Sequence, residues 1–376
     1  MFEKNLQNKN KMGKVKNIEF LRLVAIAAII LFHLTHTGPW LNDFFDGCPF
    51  YRHLQITSGD GQTGVDFFFI LSGLFFYLGI AATDYTVVWG DFLKKKIIRM
   101  WPVMAFGVLL AGILSLCGLL KFTFWDNIYC LLFLNGTALH KVYANLTVTW
   151  YCSAMLFHFI LFLYLFKNFR EQTAWLIITV GIYVCYGIIL QAKGFKINDN
   201  AQTFGYIFNV GMMRAWGGIG FGMLIGLWYR KYESKIQQFK PSLICKIGVS
   251  ILEGSCLYFM IKYLMISRFN HYDQFMFIIV FVCLVTTFIC SKGYVSQLFN
   301  RDIFSFLAKY VYSIFITHKI IIATVQINIM KTRPELIWQH PVSSLILIFA
   351  VIIVVGMLTY HLVEKPCVDY MKRKNF

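Results

Sequence analysis

Charged side chains are scarce in this chain. Asp, Glu, Lys and Arg together make 14% of its 376 residues, where soluble domains carry about 25%. Acidic residues are the scarcest, 18 against 35 Lys and Arg. Proline occurs seven times, and no Pro-, Gly- or Ser-rich linker, low-complexity tract or internal repeat divides the chain. The ten cysteines show no paired spacing and fall mostly inside apolar runs, which argues for small buried hydrophobes rather than a disulfide framework or a zinc site. Together these absences exclude a soluble globular enzyme, a disordered chain and a small disulfide scaffold.

What is present is apolar. Hydrophobic residues make 58% of the chain and the mean hydropathy is +0.62. They fall in blocks near the roughly 20 residues that a helix needs to cross a bilayer. Blocks at 18–34, 64–82, 101–120, 148–166, 174–191, 205–228, 246–266, 274–290, 306–329 and 343–363 predict an all-α polytopic membrane protein of about ten spans. The segment 127–139 is too short for a span and reads as re-entrant or interfacial. The lysine-rich start could pass for a signal-peptide n-region, but no small-residue cleavage site follows 18–34, so a retained first span is expected.

Ten spans put both termini on one side. The termini and the connectors on their side hold 23 Lys and Arg; the opposite connectors hold eight, namely Arg52, Lys121, Lys141, Lys193, Lys196, Arg268, Lys331 and Arg333. By the positive-inside rule both termini are cytoplasmic. This skew accounts for most of the net charge of +17 with the lipid bilayer as partner and no nucleic acid. The expected organisation is a cytoplasmic segment 1–16, one membrane domain 17–366 and a cytoplasmic tail 367–376.

Ionisable residues inside apolar runs are the informative ones, because lipid makes each expensive unless it is paired or hydrated. Arg22 and His33 lie eleven residues apart in the first span, on one helix face and about 16 Å apart along the axis. The bland alternative is an Arg22 that snorkels and a His33 that bonds a neighbour. His36 could complete a metal pair, but no carboxylate or cysteine is near, and no metal is expected. Asp66 opens the second span at a depth similar to that expected for His33. It could orient that imidazole as a general base or simply cap its own helix. Lys96 and Arg99, one turn apart before the third span, could clamp phosphates or answer anionic lipid. Arg214 sits inside the sixth span as either a functional or a paired structural residue. His158, Lys262 and Lys319 read as structural. Asn135 and Asn145 fit a glycosylation sequon, a short pattern that carries no weight alone.

These segments resemble the acyltransferase-3 family of bacterial membrane acyltransferases. Arg22 and His33 match its Arg-x10-His, and Gly64-Val-Asp66-Phe-Phe-Phe-Ile-Leu-Ser72-Gly73 matches its second-span pattern residue for residue. Lys96, Arg99 and Pro102 match its Arg-x-x-Arg-x-x-Pro, with Lys in the first place. Tyr312-Ser313-Ile-Phe315-Ile-Thr-His318 is similar to its Tyr-Ser-Leu-Tyr-Leu-x-His, and His361-Leu-Val-Glu364-Lys365-Pro366 to its Arg-Leu-Ile-Glu-Lys-Pro. The Ser-Val-Glu-Glu that many relatives carry in the fourth span is absent; Thr149-Trp150-Tyr151-Cys152 stands there, with Trp150 kept as a candidate. Relatives often append an SGNH-type hydrolase domain, which is not expected in a chain stopping at Phe376.

The resemblance implies transfer of an acyl group, most often acetyl, from cytoplasmic acetyl-CoA or another acyl-CoA to a hydroxyl of a glycan or lipid-linked glycan. It implies a bacterial cytoplasmic membrane. On this reading His33 and Asp66 are catalytic and Arg22, Lys96 and Arg99 bind the donor, with Arg214, Trp150, Tyr312, His318 and Glu364 as further candidates. An acyl-His33 intermediate is the rival mechanism, and a secondary transporter or glycan exporter is the alternative function, although the paired halves common in transporters are not seen.

Overall fold

A computed structural model describes residues 15–36, 41–82, 89–137, 146–191, 203–204, 208–265 and 273–373. Most of the expected segment 1–16, the residues Lys141, Asn145, Lys193, Lys196 and Arg268, and the last three residues lie outside the described set.

The long helices are α1 Lys16–Thr35, α2 Gly64–Ala81, α3 Trp89–Leu116, α4 Trp150–Asn168, α5 Glu171–Gln191, α6 Val210–Gln238, α7 Leu243–Met265, α8 Asp273–Cys290, α9 Val311–Val325 and α10 Pro341–Thr359. Nine helical stretches among the described residues are long and apolar enough to cross a membrane, and Phe275–Cys290 in α8 is a shorter apolar one. The apolar blocks and the helices therefore coincide, and the chain is an all-α polytopic membrane protein. Among the described residues the only sheet is a two-residue antiparallel hairpin, Thr203–Phe204 with Phe208–Asn209. It leads into α6, where the Asn209 side chain accepts from Met212 N at 2.7 Å and caps the first turn.

The short segment after α3 is not a span. Phe124–Leu131 forms a two-turn helix, and Phe133 then takes a positive φ of 57° to turn the chain back. Asn135 is buried there and its Nδ2 donates to Thr149 Oγ1 at 2.8 Å, which holds the turn against the start of α4. That burial alone removes Asn135 from any surface role.

The closest helix packing is between α2 and α6, and glycine permits it. A Cβ on Gly73 would collide with the Ile219 carbonyl, and one on Gly222 with the Ile70 carbonyl. Gly218, Gly222 and Gly226 follow the small-xxx-small spacing that lets two backbones approach in a membrane, where no hydrophobic force pulls helices together. On another face of α6, Gly217 and Gly220 receive Tyr186 and Ile182 of α5. Around this centre, α1 packs against α2 and α9, α7 against α8, and α9 against α10.

Two wider π turns interrupt the regular helices. Gln326–Met330 continues α9, and Tyr360–Glu364 joins α10 to a final helix Lys365–Arg373. The cytoplasmic ends expected of α1 and of this final helix border the same cavity, which bears Arg22 and Lys372 together. That agrees with termini on one side of the bundle.

The glycine seam gives a direct stability test. Gly222→Val should destabilise the purified protein by about 1–3 kcal/mol through overpacking, read as a fall in thermal midpoint in detergent. Gly248→Val, on an exposed face of α7 where a Cβ meets nothing within 4 Å, is the control with the same change of helix propensity and should shift the midpoint much less.

Candidate active site

Asp66 does not stand beside His33. The α2 helix enters next to α1 with Gly61 against Ala28 and Gly64 against Ala25 and Ile29, which carries Asp66 past the level of His33. There it meets Arg214 of α6. Arg214 Nε donates to Asp66 Oδ1 at 3.0 Å and Nη2 to Oδ2 at 2.6 Å, and neither side chain is exposed. This two-pronged pairing satisfies both carboxylate oxygens. Trp150 covers the guanidinium, whose central carbon lies 5.6 Å from the ring centroid. Asp66, Arg214 and Trp150 thus form one packed unit that ties α2, α4 and α6, and Asp66 is not the neighbour of His33 that its place in the sequence suggests.

The side chain that reaches His33 is His318 of α9. His318 Nε2 lies 3.1 Å from His33 Nδ1, and the rings are 5.0 Å apart between centroids. His318 Nδ1 is 2.8 Å from the Phe315 carbonyl. A carbonyl only accepts, so a neutral His318 carries its proton on Nδ1 and leaves Nε2 as an acceptor. His33 Nδ1 also lies 3.0 Å from the Ile29 carbonyl. Two acceptors around Nδ1 put the His33 proton there and leave Nε2 with a free lone pair. His318 is fully buried, while His33 is half-buried and so reachable. The end of α1 that carries His33 is held by Gln326, whose Nε2 donates to the carbonyls of His33 and Leu34, each at 3.0 Å. Thr35 and Ser58 add a hydroxyl pair at 2.7 Å.

The five residues Arg22, Lys96, Arg99, Tyr312 and Glu364 line one cavity of about 770 Å³. Its inner end is built by Phe68, Tyr151 and Phe315, and the Phe315 ring is 5.9 Å from that of His318. The histidine pair therefore lies just beyond the inner end. Tyr312 donates to the Met100 carbonyl at 2.9 Å and Ser72 pairs with the Tyr151 hydroxyl at 2.7 Å, so the polar atoms of this wall are already engaged.

Carboxylates accompany the cations. Arg22 pairs with Glu19 at 2.6 Å. Arg99 faces Glu364 at 3.9 Å, and Ser313 donates to the other Glu364 oxygen at 2.7 Å. The two C-terminal motifs thus meet, through Ser313 and Glu364, with Arg99 of α3. Lys96 has its ammonium 4.9 Å from the Phe159 ring centroid and 5.6 Å from that of Phe92. Gln326 and Glu364 both sit in π turns, which are frequent at functional sites. Gln326 carried no sequence signal, because a lone Gln at a helix end is unremarkable until its partner is known. His158 bonds its own helix at Ala154 and lies buried, as a structural residue does.

The bundle thus carries a basic cavity at one end and, behind it, a histidine pair with one ring half-buried. The comparison with known families supplies the class: a family model described as an acyltransferase domain matches residues 15–361. The chain belongs to that family, acyltransferase-3. No curated protein and no solved structure matches it.

The buried Asp66–Arg214 pair makes itself felt through stability. Asp66→Ala should cost about 3–5 kcal/mol of stability by leaving a buried guanidinium uncompensated. Adding Arg214→Met should recover part of that loss, as seen in chemical unfolding of the single and double variants. A stable Asp66→Ala protein that lacks activity would instead return Asp66 to a catalytic role.

Proposed function

We propose that the protein moves an acyl group, most often acetyl, from acyl-CoA in the cytoplasm to a hydroxyl of an exported or cell-surface glycan or its lipid-linked precursor. The membrane is then the bacterial cytoplasmic membrane. The single observation that carries this reading is the alignment of a basic cavity with the His33–His318 pair along α1, α3 and α9.

The donor is a polyanion on a narrow pantetheine arm. Arg22, Lys96 and Arg99 supply the cations for its diphosphate, as charge-assisted partners of phosphate oxygens. The arm runs inward between Phe68, Tyr151 and Phe315 and presents the thioester near His33. His33 Nε2 takes the proton of the acceptor hydroxyl as its oxygen attacks the thioester carbonyl. The tetrahedral adduct collapses with cleavage of the C–S bond, and the proton held by His33 passes to the departing thiolate. His318 keeps His33 in the productive tautomer by accepting from Nδ1–H, the task a carboxylate performs in other general-base pairs.

Membranes carrying the protein, given radiolabelled acetyl-CoA, test this reading through label recovered in the envelope glycan fraction. His33→Ala should lower transfer by about 10²–10⁴-fold, the usual weight of a general base; near-normal transfer would refute the assignment. His318→Leu should lower kcat with little change in KM for acetyl-CoA. His318→Gln, whose amide oxygen can accept the same N–H, should retain more activity than His318→Leu. Lys96→Ala with Arg99→Ala should raise KM for acetyl-CoA, and added salt should weaken donor binding in the unmodified protein.

A further inference from the structure

The cations around the cavity fall into two tiers. The inner tier is Arg22, Lys96 and Arg99. A second set, here the outer tier, is formed by Lys309, Lys365 and Lys372, which line the same cavity. Lys309 caps the short helix Asp302–Ala308 just ahead of α9, four residues before Ser313, whose hydroxyl reaches Glu364. Lys372 is eight residues beyond Glu364 in the final helix, about 12 Å outward at 1.5 Å per residue.

The outer tier has one carboxylate for its three cations, where the inner tier has Glu19 and Glu364 for its three. Asp369 lies 3.9 Å from Lys365 and 4.0 Å from Lys372, one carboxylate between two ammonium groups. Lys309 meets rings instead: its Nζ is 4.0 Å from the Phe306 centroid, 4.7 Å from Tyr310 and 5.7 Å from Tyr360. Aromatic faces hold the cation in place without cancelling its charge. One turn before Lys309, Ser305 also lines the cavity, and its buried hydroxyl has no hydrogen-bond partner among the described residues. A buried donor left unsatisfied is costly, and a phosphate oxygen would satisfy it.

We propose that Ser305, Lys309, Lys365 and Lys372 form a second anion site, for the 3′-phosphate on the ribose of the donor nucleotide. The inference rests on the acyl-CoA reading above. Coenzyme A carries two separate anionic groups, a diphosphate and a ribose monoester, and the cavity carries two separate cationic tiers. The inner tier takes the first and the outer tier the second. The outer site selects coenzyme A thioesters over those of 3′-dephospho-coenzyme A, which are alike at the reacting carbonyl.

The test compares radiolabelled acetyl-CoA with 3′-dephospho-acetyl-CoA in membranes bearing the unmodified protein or the Lys309→Gln/Lys372→Gln double variant. The unmodified protein should show an apparent KM about tenfold or more lower for acetyl-CoA, the scale of charge-assisted bonds to one phosphate. The double variant should bring that ratio down to about twofold, while kcat at saturating acetyl-CoA is retained. Adenosine 3′,5′-bisphosphate should compete better than ADP in the unmodified protein and lose that advantage in the variant. Equal KM values for the two thioesters in the unmodified protein, or a ratio unchanged in the variant, would overturn the second site and leave the acyl-CoA reading intact. Failure of both thioesters to donate would overturn that reading, and this inference with it.

Discussion

The structure depends on one buried ion pair. Asp66 and Arg214 are both fully enclosed, at a depth where neither charge could persist without the other. Their two hydrogen bonds fix the rotation and the level of α2 against α6, and the glycine seam lets the backbones come close enough for the bonds to form. The placement of Phe68 and Ser72, two and six residues further along α2 on the cavity wall, follows from that register. Tyr151, which bonds both Ser72 and the Phe68 carbonyl, extends the same constraint to α4. A carboxylate that sequence alone would place in the chemistry is therefore the foundation of the cavity in which the chemistry is proposed.

A cluster of cations is itself unstable, and the cavity manages this with carboxylates of its own. Glu19 accompanies Arg22 and Glu364 accompanies Arg99. The Arg99 pair is the longer of the two, and Ser313 holds the other oxygen of Glu364. At the far end the task is different. When both rings of the His33–His318 pair are neutral, each proton has an acceptor and the one free lone pair is on the half-buried ring. A single helix, α9, contributes Tyr312 to the cavity wall and His318 to the pair, so the two regions are rigidly related.

Much of the fold was legible in the sequence because a bilayer imposes length: every apolar block near 20 residues became a helix, and the one too short became a turn-terminated two-turn helix. Individual residues of the site were legible for the same reason, since Arg22, His33, Asp66 and Arg214 stand out against apolar neighbours. Their partners were not. Asp66 and Arg214 are 148 positions apart, and His33 and His318 are 285 apart; helical periodicity says nothing about pairs across elements. Asp66 lies deeper than its place at the start of an apolar block implies, because the 3₁₀ turn Gly61–Thr63 packs against α1 and places the start of α2 well inside the bundle. Gln326 and Glu364 lie in π turns, whose wider pitch departs from the 3.6-residue period used to assign faces.

The central claim is that a donor held at the basic end of the bundle delivers its acyl group to an acceptor through the His33 region. Proteoliposomes of uniform orientation test it, with radiolabelled acetyl-CoA confined to one side and the glycan acceptor to the other. The account predicts labelled acceptor only when acetyl-CoA is on the side that bears Arg99 and Lys372. Transfer of equal extent with acetyl-CoA on the opposite side would contradict it.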